Sequence, residues 1–157
     1  MLSTLGSVSA QNENDIYLFK DGKKDDLLSC GHPIEGNKIV VNMPPGARYT
    51  SIQTKELSTY KYKWIEITWK YWSNYDDYPP VQVSNIVFMS GMTKYVNQYA
   101  INTSKTYETK ILSLNNQRFI DGIIIQFVNG YDYDYRRYPS DYSYKIYISE
   151  IKLVARE

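Results

Sequence analysis

Two segments of the chain combine flat aromatic rings with charged groups at short spacing. The first is 72–80, Trp-Ser-Asn-Tyr-Asp-Asp-Tyr-Pro-Pro, and the second is 131–139, Tyr-Asp-Tyr-Asp-Tyr-Arg-Arg-Tyr-Pro. Such rings stack on the C–H faces of sugars, while carboxylate and guanidinium groups hydrogen-bond to hydroxyls. Protein interfaces use the same chemistry, with Tyr, Trp and Arg as anchors. The composition of both segments therefore predicts a contact surface.

The predicted contact residues come from both segments. They are Trp72, Tyr75, Asp76, Tyr78, Tyr131, Tyr133, Tyr135, Arg136 and Tyr138. Three interpretations stay open at this point. The rings contact another protein, they contact a glycan, or they belong to solvated hairpin loops whose tyrosines pack over the edge of a sandwich.

Carboxylates in the same segments are candidate calcium ligands. Asp132 and Asp134 alternate along the chain, and Asp76 lies two residues before Tyr78, so these groups could surround an ion together with backbone carbonyls. The glycine and the distal glutamate of an EF-hand are missing. Solvated carboxylates explain the pattern better, and no metal or other cofactor is predicted.

The single cysteine, Cys30, lies two residues before the single histidine, His32. A thiol–imidazole pair can activate a nucleophile, but this segment offers no third group to orient the ring. A lone cysteine is more often a small buried hydrophobe, and a zinc site would need further Cys or His ligands. The glycine-rich nucleotide signatures are also missing, and no pair of the 17 acidic residues is singled out for glycoside hydrolysis. We therefore expect a protein that is not an enzyme.

The composition indicates one β-rich domain. A length of 157 residues suits a single domain, and 17 tyrosines with three tryptophans raise the aromatic share to 15%. These residues favour half-buried, pleated surfaces. The net charge of +1 leaves no cationic excess to neutralise phosphates, so nucleic acid is not an expected partner. No stretch approaches the ~20 apolar residues that span a bilayer, so membrane insertion is not expected.

Alternation of apolar and polar residues predicts nine strands. They are 15–20, 26–29, 37–43, 49–53, 60–72, 81–90, 106–112, 119–129 and 142–154. The nearly continuous apolar run in 119–129 predicts burial on both sides, and a short helical turn is expected within 90–100. Two strands change phase, between Trp64 and Ile65 and between Ile148 and Ile151, as a β-bulge would cause.

The alternation also separates a predicted core from a predicted arm. Residues 1–14 are small and polar and predict an N-terminal arm ordered by a partner, with the sandwich domain spanning 15–157. The core is expected to contain Trp64, Ile67, Trp69, Phe88, Ile123, Ile125, Phe127, Ile146 and Ile148.

Residues 147–154, Tyr-Ile-Ser-Glu-Ile-Lys-Leu-Val, resemble the closing strand of galactose-binding-like β-sandwiches, which include many carbohydrate-binding modules and discoidin-like domains. Residues 63–69, Lys-Trp-Ile-Glu-Ile-Thr-Trp, resemble their central core strand. The resemblance implies an all-β jelly roll, a single sandwich of about eight or nine antiparallel strands. It also implies a structural calcium ion near the first strands, with Asp25 and Asp26 as candidate ligands. It brings no sugar-binding residues with it.

Three functions are compatible with these features: a structural or adhesion protein of a bacteriophage particle, a carbohydrate-binding module, and, least supported, a small enzyme. The first ten residues lack the basic and apolar regions of an export signal, and the arm suits docking onto a neighbouring subunit. The sequence thus favours a capsid, neck or tail component assembled in host cytoplasm. Its expected partners are other virion proteins, further copies of itself and glycans. Carbohydrate binding outside the cell or at its surface is the alternative.

Overall fold

The computed structural model describes residues 13–55, 61–75, 83–90, 93–100, 104–113 and 122–156; for 83–90, 93–100, Gly122, Asp132 and Tyr133 it describes the backbone alone. Over these residues the chain forms twelve antiparallel strands and one short helix. The strands are β1 (Ile16–Lys20), β2 (Lys23–Lys24), β3 (Leu28–Ser29), β4 (Ile34–Glu35), β5 (Lys38–Met43), β6 (Tyr49–Thr54), β7 (Tyr62–Ser73), β8 (Val83–Ser90), β9 (Thr93–Ala100), β10 (Glu108–Ser113), β11 (Gly122–Val128) and β12 (Tyr144–Ala155), and the helix is α1 (Gly130–Tyr133). No helix in this part of the chain is long and apolar enough to cross a membrane.

The strands form two sheets that pack face to face. In sheet A, β10, β7, β12, β1 and β2 follow one another, β5 lies beside the first half of β12, and β4 pairs with β5. Sheet B has the order β3, β6, β11, β8, β9. All nine segments predicted as strands contain one, and the arrangement confirms the predicted β-sandwich.

Two strand ends follow from local backbone chemistry. Asp21 (φ 52°) and Gly22 (φ 77°) join β1 to β2 with two successive positive φ angles. A two-residue hairpin loop needs this conformation to match the twist of its strands, and Asp-Gly adopts it readily. Pro44 follows directly after β5. Because proline has no N–H to donate, the hydrogen-bond ladder of this strand ends there.

Both predicted phase changes are β-bulges in the pairing of β7 with β12. Val154 pairs with Trp64 and Ala155 with Tyr62, so Lys63 is an extra residue on β7. Ile148 pairs with Trp69 and Glu150 with Thr68, so Ser149 is an extra residue on β12. In each strand the alternation of apolar residues changes phase near the bulge. The extra residue compensates for this change, so the apolar residues on both sides of the bulge face the core.

The core lies between the inner faces of the two sheets. Seven of the predicted core residues are buried there: Ile67, Trp69, Ile123, Ile125, Phe127, Ile146 and Ile148. The Trp69 and Phe127 rings meet edge to face across the sheets, with centroids 6.0 Å apart. Trp64 is only partly buried, on the outer face of sheet A, and the side chain of Phe88 lies outside the described residues.

Two local expectations are wrong. Residues 93–100 are β9, a strand, and not a helical turn, because hairpin pairing along the whole of β8 outweighs a weak local pattern. In β11 burial alternates: Ile123, Ile125 and Phe127 are buried, whereas the residues between them are partly exposed. This strand is therefore covered fully on one face alone; residues 119–121 lie outside the described part of the chain.

A buried ion pair ties the N-terminal strand to the last one. The Asp15 carboxylate lies 3.4 Å from the Lys152 ammonium, and the two side chains are 0% and 5% exposed. The other oxygen of Asp15 accepts a hydrogen bond of 2.7 Å from the Ala155 N–H. Removing one partner of a buried pair leaves the other charge in a low-dielectric site without compensation, which costs more than the pair contributes.

We expect Asp15→Ala to lower the free energy of unfolding by about 3–5 kcal/mol, because it leaves the buried Lys152 ammonium without its ion-pair partner and the Ala155 N–H without its acceptor. The matched control is Asp26→Ala, at an exposed position, which should change stability by less than about 0.5 kcal/mol. Urea denaturation followed by circular dichroism measures both. Equal effects of the two substitutions would contradict the structural role of the pair.

Candidate functional site

The outer face of sheet A carries rings and ammonium groups in alternation. On β7, Lys70 and Trp72 flank the buried Tyr71 and so face away from the core. In the register of β7 with β12, Lys70 lies opposite Tyr147 and Trp72 lies opposite Lys145. A ring on one strand therefore faces an ammonium group on the next, in two successive rows.

A groove of about 420 Å³ opens on this face, and we call it the Trp72 groove. It is lined by Lys38, Lys70, Tyr71, Trp72, Ser73, Lys105 and Tyr147. Its volume falls in the ~300–1,000 Å³ range of small-ligand sites. Trp72, near the end of β7, is 48% exposed, which leaves a large apolar side chain open to solvent. The groove thus offers aromatic surface to a ligand on a scaffold of paired strands.

Lysine ammonium groups lie close to every ring of this face. Lys38 and Lys70 lie 5.2 and 5.7 Å from the centroid of the Tyr147 ring. Lys145 lies 5.9 Å from the centroid of the Trp72 ring. At these distances the ring quadrupole attracts the cation, which orders the long lysine side chains without neutralising them. The donors are therefore held in place around the rings.

Tyr107 extends the aromatic surface beyond the groove. It precedes β10, is 41% exposed, and its ring centroid lies 4.8 Å from the Lys70 ammonium. Partial burial raises the pKa of Tyr107, and the nearby Tyr147 phenol raises it further. Lys70 on β7 consequently lies near two tyrosine rings, one from the residue before β10 and one from β12, on opposite sides of its own strand.

The second predicted contact segment is part of a compact loop, residues 129–143, which we call the tyrosine loop. Asn129 caps α1 by accepting a hydrogen bond of 2.9 Å from the Tyr131 N–H, and its own N–H donates to the Arg48 carbonyl. The Asp134 carbonyl accepts from the N–H groups of Arg137 and Tyr138. The loop is thus held by its own backbone bonds.

The described part of the first predicted segment contacts the tyrosine loop at Asp141 and Ser143, which follow the second predicted segment. The Asn74 amide donates to the Asp141 carbonyl at 2.8 Å, and its oxygen accepts from the Ser143 N–H at 2.9 Å. The Tyr75 hydroxyl donates to the Asp141 carboxylate at 2.6 Å. The end of β7 is therefore fastened to the tyrosine loop, since β7 and β12 are neighbours in sheet A.

The predicted contact residues have different environments. Trp72 lines the groove; Tyr131, Tyr135 and Arg136 are exposed on the tyrosine loop, with Arg136 5.7 Å from the Tyr135 ring centroid. Tyr75 packs partly against the core.

Asp76 and Tyr78 lie outside the described residues, as does the side chain of Tyr133. Tyr138 corrects the prediction. It is 4% exposed and packs edge to face on Tyr142 at 4.9 Å, because the loop folds back over its own tyrosines.

Sequence reasoning missed most of the groove. Tyr147 and Lys145 carried a usable signal, because they alternate with the buried Tyr144, Ile146 and Ile148 and must face away from the core. Lys38 and Lys105 carried none, since they reach the groove only because β5 pairs with β12 and β10 pairs with β7. A search for ring-rich loops overlooks a site built on the face of a sheet.

The Cys30–His32 pair is structural. The His32 ring lies 3.0 Å from the Ser51 carbonyl and 3.1 Å from the Thr50 hydroxyl, so it links its loop to β6. The Cys30 thiol donates to the His32 backbone carbonyl at 3.9 Å. Burial raises the pKa of Cys30, which disfavours the reactive thiolate.

The aspartates weighed as calcium ligands bind backbone where they are described. Asp25 accepts a hydrogen bond of 2.8 Å from the Leu27 N–H, and Asp134 accepts one of 3.2 Å from the Arg136 N–H. Asp26 is exposed, and the side chains of Asp76 and Asp132 lie outside the described residues. In the described part of the chain, no three His, Cys, Asp or Glu side chains are close enough to hold a metal ion.

Comparison with solved structures finds the same fold in family 29 carbohydrate-binding modules. A variant of one such module matches with a TM-score of 0.56 and 15% identity, over 88% of this chain and 90% of that chain. Another variant has a TM-score of 0.55, 16% identity and the same coverage. A further family 29 module has a TM-score of 0.54 and 15% identity, over 88% of this chain and 86% of that chain. These matches confirm the fold-level resemblance and the jelly-roll sandwich. No family sequence profile matches the chain, and no curated protein matches it either.

The packing of the tyrosine loop generates a prediction about Gly130. A Cβ atom at this position would lie 2.6 Å from Cδ1 of Tyr138, so Gly130→Ala must displace a buried ring. We expect a loss of about 1–3 kcal/mol in the free energy of unfolding. Gly31→Ala is the matched control, because nothing lies within 4 Å of a Cβ there. Equal urea midpoints for the two variants would contradict this packing.

The buried tyrosines generate a prediction about alkaline pH. Burial raises the pKa of Tyr144, and the adjacent Tyr142 phenol adds to the shift; burial likewise raises the pKa of Tyr142. An unfolded tyrosine ionises near pH ~10, so above that pH the unfolded state binds fewer protons than the folded state. The free energy of unfolding should therefore fall as the pH rises above ~10 and be unaffected by these groups below it.

Tyr144→Phe tests this linkage. The substitution removes a hydrogen bond of 2.9 Å to the Val128 carbonyl, so stability at neutral pH should fall by about 1 kcal/mol. The decline at alkaline pH should become shallower, because one raised pKa is gone. Urea denaturation across pH, with tyrosinate absorbance recorded in parallel, measures both effects. An unchanged slope in Tyr144→Phe, equal to that of a Tyr49→Phe control at an exposed site, would contradict the assignment.

Proposed function

We propose that this protein binds carbohydrate in the Trp72 groove and does not cleave it. The observation that carries the proposal is the half-exposed Trp72 ring beside Tyr147, with lysine donors ordered around both. Aromatic faces stack on the C–H faces of sugar rings, and ammonium groups donate hydrogen bonds to sugar oxygens. The groove combines both kinds of contact.

The position of the rings suits an extended ligand. Trp72 and Tyr147 lie on neighbouring strands as diagonal neighbours, two positions apart in the pairing register. Side chains in this relation are about 7–8 Å apart at the backbone, so both rings can touch successive units of one sugar chain. The strands that hold them, β7 and β12, lie inside sheet A and lose little conformational freedom on binding.

The solved structures of similar fold support the same proposal. They are carbohydrate-binding modules, which bind sugars without acting on them. We therefore propose binding without catalysis for this protein. They also favour an extracellular or cell-surface setting over a virion. Neither the described structure nor these matches support the other function inferred from the sequence, a bacteriophage structural role with virion partners.

We expect Trp72→Ala to weaken glycan binding by about 2 kcal/mol or more, because it removes the central ring of the groove. Two matched aromatic variants accompany it: Tyr49→Ala, 67% exposed on sheet B, and Tyr135→Ala, 66% exposed on the tyrosine loop. A glycan array identifies ligands, and titration calorimetry measures each variant. Circular dichroism confirms that all three fold.

The three variants separate the candidate surfaces. Loss confined to Trp72→Ala supports the groove. Loss confined to Tyr135→Ala would move the site to the tyrosine loop and contradict its assignment to the sheet face. Failure of the wild-type protein to bind any glycan on a broad array would refute carbohydrate binding itself.

A further inference from the structure

The charged side chains in the described lining of the Trp72 groove are all lysines. Lys38, Lys70 and Lys105 line it, and Lys145 lies beside the Trp72 ring, although the whole chain has a net charge of only +1. The described part of the groove is therefore locally positive. Clefts lined by one sign of charge raise the local concentration of ions of the opposite sign.

Three of the lysines around the rings have no carboxylate partner among the described residues. Lys38, Lys70 and Lys145 form no ion pair with any described residue. Glu35 lies opposite Lys38 across the β4–β5 hairpin without bonding to it. An exposed lysine usually has its charge screened by water and salt. Here the ammonium groups lie over tyrosine and tryptophan rings, which do not neutralise their charge. Their N–H donors can therefore bind an anionic group of a ligand.

The groove contains many donors and few acceptors. Its described lining has no Asp, Glu, Asn or Gln side chain. Lysine has three N–H donors and no acceptor, and only the Tyr and Ser hydroxyls can accept. The hydroxyls of a neutral sugar must donate as well as accept, so such a ligand would leave many of them unpaired. A ligand that brings its own anionic oxygens pairs with the lysines fully.

The two ammonium groups near Tyr147 strengthen this conclusion. Lys38 and Lys70 both lie near the Tyr147 ring, with their ammonium groups 5.2 and 5.7 Å from its centroid. An anion bound at this ring can accept a charge-assisted hydrogen bond from each lysine. The Tyr147 ring beneath then supplies the stacking surface for the sugar that carries the anion.

We propose that the Trp72 groove selects acidic glycans, whose carboxylate or sulfate groups bind Lys38 and Lys70 while their rings stack on Trp72 and Tyr147. This inference rests on the proposed function and names its ligand class. Carboxylate and sulfate present the same chemistry to the lysines, namely several anionic oxygens on a sugar ring. Stacking distinguishes such a glycan from a polyanion without sugar rings.

Titration calorimetry with four probes tests the inference: an oligogalacturonate, a sulfated galactan oligosaccharide, a neutral mannan oligosaccharide and poly-L-glutamate. We expect at least one acidic glycan to bind at least about tenfold more tightly than the neutral one, since a charge-assisted hydrogen bond exceeds a neutral one by about that factor. Its binding should weaken as salt is raised. The two acidic probes tell carboxylate from sulfate as the group recognised.

Charge variants locate the effect. Lys38→Gln/Lys70→Gln should weaken the preferred acidic glycan by about a hundredfold and leave any binding of the neutral glycan nearly unchanged. Lys23→Gln/Lys55→Gln removes the same net charge at exposed positions outside the groove and should change neither. Thermal melts confirm that both variants fold.

The outcomes separate this inference from the proposed function. Equal binding of neutral and acidic glycans, or insensitivity to Lys38→Gln/Lys70→Gln, would overturn the selection for acidic glycans and leave carbohydrate binding standing. Poly-L-glutamate bound as tightly as the acidic glycans would show general polyanion binding and also overturn it. Binding to none of the glycans would refute both.

Discussion

The pairing of β7 with β12 is the constraint on which the rest of the molecule depends. The two longest strands run side by side from Tyr62 to Ser73 and from Ala155 to Tyr144, inside sheet A. Side chains alternate between the faces with a period of two, so a slip of one residue would turn every ring to the wrong side. The bulges at Lys63 and Ser149 correct the phase where the apolar pattern changes. Trp69 is thereby directed into the core and Trp72 out of it.

The outer face created by this pairing has two chemically different halves. Toward the chain ends it is closed: Glu66 and Lys152 lie opposite each other and are 3% and 4% exposed, and Lys152 is paired with Asp15. Toward the other end it is open, with Trp72 half exposed and with Lys38, Lys70 and Lys145 forming no ion pair with a described residue. Burial and ion pairing stabilise the first half, while the second keeps its charge and aromatic surface for a ligand. If the lysines of the open half were buried, each would need an acidic partner. On the exposed surface, water or a ligand stabilises their charge instead.

The tyrosines illustrate how one residue type can fill several roles. Tyr138, Tyr142 and Tyr144 form a buried cluster of edge-to-face and tilted ring contacts that supports the tyrosine loop, and Tyr144 donates to the Val128 carbonyl. Tyr147 and Tyr107 expose their rings beside lysines. Composition cannot separate these groups, because a tyrosine ring is large enough to stabilise a core and its hydroxyl polar enough to face water.

Local alternation in the sequence was sufficient to determine the class of fold, the positions of nine strands, both bulges and most of the core, because these depend on which side of its own strand a residue faces. The aromatic and charged composition of 72–80 also predicted Trp72 as a contact residue, and the structure exposes its ring on the outer face of sheet A. The sequence alone could not place Tyr138, which is buried because a loop folds back, nor β9, which forms because β8 pairs with it. The groove itself was decided by tertiary structure. Lys38, Lys70 and Tyr147 belong to three strands far apart in the chain, and only the register of β5, β12 and β7 brings their charges and ring together.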